Sequence, residues 1–133
     1  MDLSRGMVDA AFARASARAA RNLAFFQADV GAMPKHFGGK FDATYCSLSF
    51  HHYPDPPAAV AEMHRVLRPG GQAFIIDAGP PWMKALGSPL AKWADPGWIG
   101  FHTGEEFQQL FARFSSFYWT ELLPGIGLVI ATK

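Results

Sequence analysis

The sequence is poor in the features that mark most functional classes. It has a single cysteine, Cys46, so no disulfide forms within the chain, and such sparse thiol use suits a reducing compartment. Charge bias is also missing: 12 Lys and Arg against 11 Asp and Glu leave a formal charge of +1. The basic residues are scattered, which removes the electrostatic argument for nucleic acid. No apolar run reaches the roughly 18–20 residues that span a bilayer. The N-terminus lacks the apolar core of a signal peptide. A cytoplasmic location without nucleic-acid or membrane partners is the expectation. There is no phosphate-cradling glycine motif either: Gly125-Ile126-Gly127 precedes a strand and lacks a third glycine, while Gly38-Gly39 and Gly70-Gly71 are turn glycines. His51 and His52 are adjacent, and His36, His64 and His102 are distant in sequence, so no metal site is expected.

What is present is enough for one domain. Of the 133 residues half are hydrophobic, a size and composition for a single globular unit over 1–133. The best-formed stretch runs from Phe41 to Ala78. Phe41–Ser49 is aromatic and apolar with little alternation, which predicts a strand buried on both faces. Asp55 is a candidate N-cap, with Pro56 and Pro57 tolerated in the first helical turn. Val60, Met63, His64 and Leu67 then trace one helix face, and Arg65 and Arg68 suit the C-terminal end of the dipole. Pro69-Gly70-Gly71 stops the helix, and Gln72–Asp77 is a second buried strand. Strand, crossover helix and strand of this length favour parallel pairing with a right-handed crossover.

The flanks are placed around this unit. Arg5 to Arg21 reads as a helix, with Met7, Ala10, Ala11 and Phe12 at helical spacing and Arg14, Arg18 and Arg21 on a solvated flank. Leu23–Ala28 reads as a short strand closed by Asp29, and Val30–Lys40 as a loop with one helical turn. Gly79–Phe101 is rich in Trp and Pro, with a short helix over Met83–Leu86 or Leu90–Ala94. It reads either as a lid or as a satellite core. Thr103-Gly104-Glu105-Glu106 is a capping box, and Phe107, Leu110, Phe111 and Phe114 form a core-facing stripe. Phe117–Leu123 and Ile126–Thr132 make a terminal antiparallel hairpin around Pro124-Gly125.

The order of these pieces, with "FD", Ser47, His51-His52-Tyr53-Pro54-Asp55, Glu62-Met63 and Arg65-Val66-Leu67-Arg68-Pro69-Gly70-Gly71, resembles a class I S-adenosylmethionine-dependent methyltransferase. The likeness is to small-molecule enzymes such as those of ubiquinone and menaquinone biosynthesis. It implies an α/β, truncated Rossmann-like methyltransferase fold: a mixed sheet with a C-terminal antiparallel hairpin. It also implies S-adenosylmethionine as cofactor and a small-molecule substrate. Asp2, with Ser4 and Met7 following, resembles the second-strand terminus, where an acid accepts hydrogen bonds from the ribose hydroxyls. Asp29 resembles the acid at the adenine amino group, with the Val30 amide beside it; a strand-ending turn residue is the alternative. Ser47 resembles a residue of the cofactor-facing fourth strand, or is bonded to nearby backbone. His51 and His52 are the candidate general bases for deprotonating an acceptor, against a purely architectural loop. Cys46, mid-strand, is not expected to be a nucleophile.

The family opens with a strand and a Gly-rich turn, and this sequence starts after that point. The expectation is that Phe41–Ser49 forms an unpaired sheet edge, covered in a homo-oligomer such as a homodimer. The alternative function is a catalytically inactive remnant that serves as an oligomerising or binding module.

Overall fold

The computed structural model describes residues 1–78, 93, 97 and 99–133. Its centre is strand β2 (Leu67–Ala78), whose alternation puts Ala73, Ile75 and Asp77 on a buried face and leaves Gln72 exposed. Helix α1 (Arg5–Ala17), strand β1 (Phe41–Ser47) and helix α2 (Pro56–Val66) precede it. Helix α3 (Gly104–Leu110) and strands β3 (Ser116–Leu123) and β4 (Ile126–Thr132) follow. The sheet order is β1-β2-β4-β3. β1 lies parallel to β2, with Cys46 opposite Ile75. β4 lies antiparallel to both β2 and β3, with Val129 opposite Ile75 and Trp119. The expected mixed sheet with its terminal hairpin is present, and Gly125 takes φ 90° in the hairpin turn.

Two amphipathic helices close one face. Asp55 caps α2 by accepting from Ala58 N at 3.0 Å, and the helix buries Val60 and Met63. Thr103 and Glu106 form the reciprocal capping box of α3. Phe107, Phe111 and Phe114 pack with Phe50, Leu67 and Ile75 in one core. Gly104 and Gly127 are small for a shared reason. A Cβ on either would stand 3.0 or 2.9 Å from the Trp119 indole, which lies between them.

The Glu62-to-Gly71 part of the motif makes contacts that hold the fold together. Arg65 donates to Glu62 and reaches back to the carbonyls of Met33, Pro34 and Lys35, while Glu62 accepts from Met33 N at 2.8 Å. This clasp ties the 33–35 loop onto α2. Arg68 pairs with Asp42 at 2.6 Å in the open, where such a pair adds little stability. Gly71 permits a close approach, since a Cβ there would sit 3.0 Å from the carbonyl oxygens of Asp42 and Arg68.

Several expectations are corrected. β1 is not buried on both faces: it ends at Ser47 and buries only Cys46, because β2 is its one neighbour among the described residues. That places β1 at a sheet edge. α1 stops at Ala17 rather than Arg21, as the chain turns through Ala19 at φ 51°. Along that helix Met7 is 60% and Phe12 61% exposed, and Ala15 is its one buried residue. Leu23–Ala28 forms no strand; it contributes one parallel bridge, Gln27 to Asp2. The Lys35–Phe37 turn falls inside the expected loop. β2 begins at Leu67, so Pro69-Gly70-Gly71 lies within the strand after the helix has ended at Val66. The helix expected over Met83–Leu86 lies outside the described residues, as does nearly all of that over Leu90–Ala94.

Candidate functional site

Two groups of side chains lie at segment ends. The first is acidic. Asp2 and the 26–28 segment are joined by backbone bonds, Asp2 N to Phe26 O and Ala28 N to Asp2 O. Each acid spends one carboxylate oxygen on the amide two residues ahead: Asp2 Oδ1 accepts from Ser4 N and Asp29 Oδ1 from Gly31 N, both at 2.8 Å. These bonds fix the carboxylates, and both residues remain exposed to a ligand's hydroxyl or amine donors. Ser4 has a structural duty, capping α1 by accepting from Met7 N. Val30 packs against the core, and a Cβ on Gly31 would lie 3.5 Å from Ala58 at the start of α2. The acidic loop thus borders the N-terminal end of α2.

The second group forms where β1 ends. Leu48 adopts φ 49°, unusual for a residue with a Cβ, and donates its amide to Ile76 O at 2.7 Å. That sharp turn carries the Phe50–His52 turn over the end of β2. There His51 Nδ1 meets Asp77 Oδ1 at 2.6 Å. Asp77 is 3% exposed, and its Oδ2 has no hydrogen-bond partner among the described residues. Burial pushes the Asp77 carboxyl up, and the hydrogen bond with His51 opposes that rise. His52 stacks obliquely on His51 with ring centres 4.2 Å apart, and the His51 carbonyl accepts from Ile99 and Gly100 amides. Ser47 is exposed at the end of β1, in register with Ile76.

Beneath this pair lies a small polar layer. Cys46 Sγ is 3.2 Å from Ser49 Oγ and 3.3 Å from Tyr53 Oη. Burial pushes both the thiol and the phenol up, so neither is an activated nucleophile.

The sequence-predicted residues therefore fall into an Asp2–Ser4–Met7–Asp29–Val30 set and a Ser47–His51–His52 set. Sequence reasoning passed over Asp77 as a strand end. The signal was there: counting alternate residues from Ala73 through Ile75 puts position 77 on the core face, where a carboxylate demands a partner. Among the described residues no cluster of three metal-ligating side chains occurs, and no helix is long and apolar enough to cross a membrane.

The acidic pair fits the nucleoside part of S-adenosylmethionine: two oriented, exposed carboxylates on paired segments match the hydroxyl and amino donors of an adenosine. Residues 1–75 match the family model for a methyltransferase domain. The chain is 36% identical over 63 residues to a demethylmenaquinone methyltransferase of Thermus thermophilus, covering 47% of this chain and 28% of that protein. It is 34% identical over 80 residues to the uncharacterized protein YafE of Escherichia coli, covering 60% of this chain and 38% of that one. The chain thus spans well under half the length of these relatives. A putative methyltransferase from Bacillus halodurans superposes with a TM-score of 0.85 at 16% identity, over 99% of this chain and 80% of that one. The YcgJ protein of Bacillus subtilis does so with a TM-score of 0.80 at 23% identity, over 91% and 52%. On the family match and the shared fold, the chain belongs to the class I S-adenosylmethionine-dependent methyltransferases.

Proposed function

We propose that the chain takes part in methyl transfer from S-adenosylmethionine to a small molecule. The observation that carries this reading is the paired acidic termini, Asp2 and Asp29, each already oriented by a backbone amide. Asp2 would hold the ribose hydroxyls and Asp29 the adenine amino group, with Val30 beside it and Ser4, Met7 and Ser47 bordering the nucleoside. The cofactor supplies a methyl group already activated as a sulfonium. What remains for the protein is to bind, align and dehydrate the reactants. His51, held by Asp77, is the proton acceptor for the incoming nucleophile, with His52 stacked on it. The small-molecule class is carried over from the relative named as a demethylmenaquinone methyltransferase. The edge of β1, open among the described residues and with Tyr45 66% exposed, favours a homo-oligomer of the single 1–133 domain that covers it, and sparse thiol use favours a cytoplasmic setting for it.

Titration calorimetry with S-adenosylhomocysteine tests the reading. Saturable heat that is lost in Asp29→Ala is expected. Absence of heat at millimolar ligand would overturn it. Sedimentation at micromolar protein tests the edge: a stable monomer would count against the oligomer.

A further inference from the structure

The sheet has a second face, turned away from α2 and α3. Those helices pack on the side of Cys46, Ala73, Ile75 and Val129, and the alternate residues of each strand point the other way. The strand register sets these alternate residues in rows across β1, β2, β4 and β3. One row is Tyr45, Phe74, Ile130 and Tyr118, and the next is Ser47, Ile76, Leu128 and Thr120. No Lys, Arg, Asp or Glu stands in either row. Tyr45 is 66% and Tyr118 57% exposed, and the four aliphatic and aromatic residues between the edges are half-buried. Contiguous apolar faces of more than a few hundred Å² mark interaction surfaces, and charge is depleted at the centre of such surfaces. We propose that this outer face is the interface of a homodimer, in which two copies stack sheet on sheet about a two-fold axis running along the strands between β2 and β4. The inference goes beyond the methyl-transfer reading and does not rest on it.

The pattern of the face is what argues for a second copy. Each row reads nearly alike from either edge: aromatic, apolar, apolar, aromatic in the first, and hydroxyl, aliphatic, aliphatic, hydroxyl in the second. A third row of Ala43, Gln72, Thr132 and Ser116 is small at both ends and polar between. Rotation about the axis lays β1 over the partner's β3 and β2 over the partner's β4. Tyr45 then meets the partner's Tyr118 and Phe74 the partner's Ile130, each contact occurring twice. Like meets like, and with no charge in the rows none is desolvated or opposed by its own copy. Sheets stack about 10 Å apart with strands within about 30° of each other, close enough for the tyrosine rings to interdigitate. Strands about 4.8 Å apart, rising about 3.4 Å per residue, give a four-strand face of roughly 19 by 24 Å, or about 450 Å² in plan. Two copies cover about 900 Å² before side-chain relief is counted, which brings the contact toward the roughly 1,200 Å² where stable specific interfaces begin. A single helix, about 10 Å across, would leave the tyrosines at both edges wet. This contact is made by side chains, whereas pairing along the β1 edge is made by backbone, so the two are separable.

Sedimentation equilibrium and cross-linking test it. At micromolar protein, Tyr118→Lys, an exposed position on the strand farthest from β1, should halve the mass of the native species. Gln108→Lys, exposed on α3, should leave that mass unchanged. A monomeric native chain would overturn the proposal and leave the face to another polypeptide. An oligomer that keeps its mass in Tyr118→Lys would overturn it in favour of pairing at the β1 edge. Cross-linking with a short bismaleimide reads the axis. Tyr45→Cys and Tyr118→Cys chains mixed together should give a covalent dimer, and either chain alone should give none; Cys46, 4% exposed, is shielded from the reagent. No product from the mixture, or a dimer from Tyr45→Cys alone, would overturn the two-fold arrangement. Should Tyr118→Lys not fold, the cross-link carries the test. The heat of S-adenosylhomocysteine binding is read separately: its absence rejects the methyl-transfer reading and leaves this interface standing.

Discussion

The first forty residues and the sheet that follows are built to different standards. Up to Lys40 only Ala15 is buried, whereas Phe50, Leu67, Ile75, Phe111 and Val129 are almost wholly enclosed. The acids proposed for the cofactor stand on the thin part, and the His51–Asp77 pair is anchored in the thick one. The thin part is held by a few specific bonds, chiefly the Glu62–Arg65 clasp and the Asp2–Gln27 bridge. A ligand bridging two such parts can order the weaker one against the stronger, and regions that respond to ligands are drawn from the low-stability end of a structure.

The largest effect that sharpens this contrast is in the core. Phe111→Ala should cost about 3–5 kcal/mol in urea unfolding, while Phe12→Ala, on the exposed helix, should stay within about 0.5 kcal/mol. Equal losses would break the comparison. Next comes Gly71→Ala, which drives a methyl group against two carbonyl oxygens and should cost about 1–3 kcal/mol. Thr103→Ala removes half of the α3 capping box, an expected loss of about 1 kcal/mol by the same assay.

Arg65→Ala should move global stability less and local stability more. Amide exchange at Met33 and Phe37 should speed up several-fold while Ile75 and Val129 keep their protection. The smallest effect is with pH. Burial, with Lys133 and Arg113 nearby, pushes the His64 imidazole down from its ordinary 6.5. The folded state therefore binds fewer protons than the unfolded one. Stability from this source is present above pH 6.5 and falls as pH drops through the folded value. His64→Gln should flatten that part of the stability–pH curve.

Much of the thick part was legible in the sequence because its signals are local and periodic. The α2 face, the Phe107–Phe114 stripe, the capping box and the hairpin are each set by residues within a few positions of one another. What was not legible depended on distant partners. The apolar run Phe41–Ser47 by itself reads as a strand buried on both faces; its edge position was expected from the strand order of the resembled family, not from the run. Leu23–Ala28 has strand composition, but its pairing is limited to Asp2 and Gln27, so the rest stays irregular. Arg65 read as a dipole-favouring residue, yet it reaches some thirty positions back to three carbonyls. For the site, Asp29 and His51 were nameable from their motif, whereas Asp77 became visible once the Leu48 turn brought His51 to it.

On this reading the thin, acidic part is the cofactor's half of the site. Hydrogen exchange of the native chain with and without saturating S-adenosylhomocysteine tests it most directly. The predicted result is slowed exchange at Ser4, Met7 and Gly31, with Ala73–Ile75 and Val129–Ala131 unchanged. Unaltered exchange at Ser4 and Gly31 under saturating ligand would contradict it.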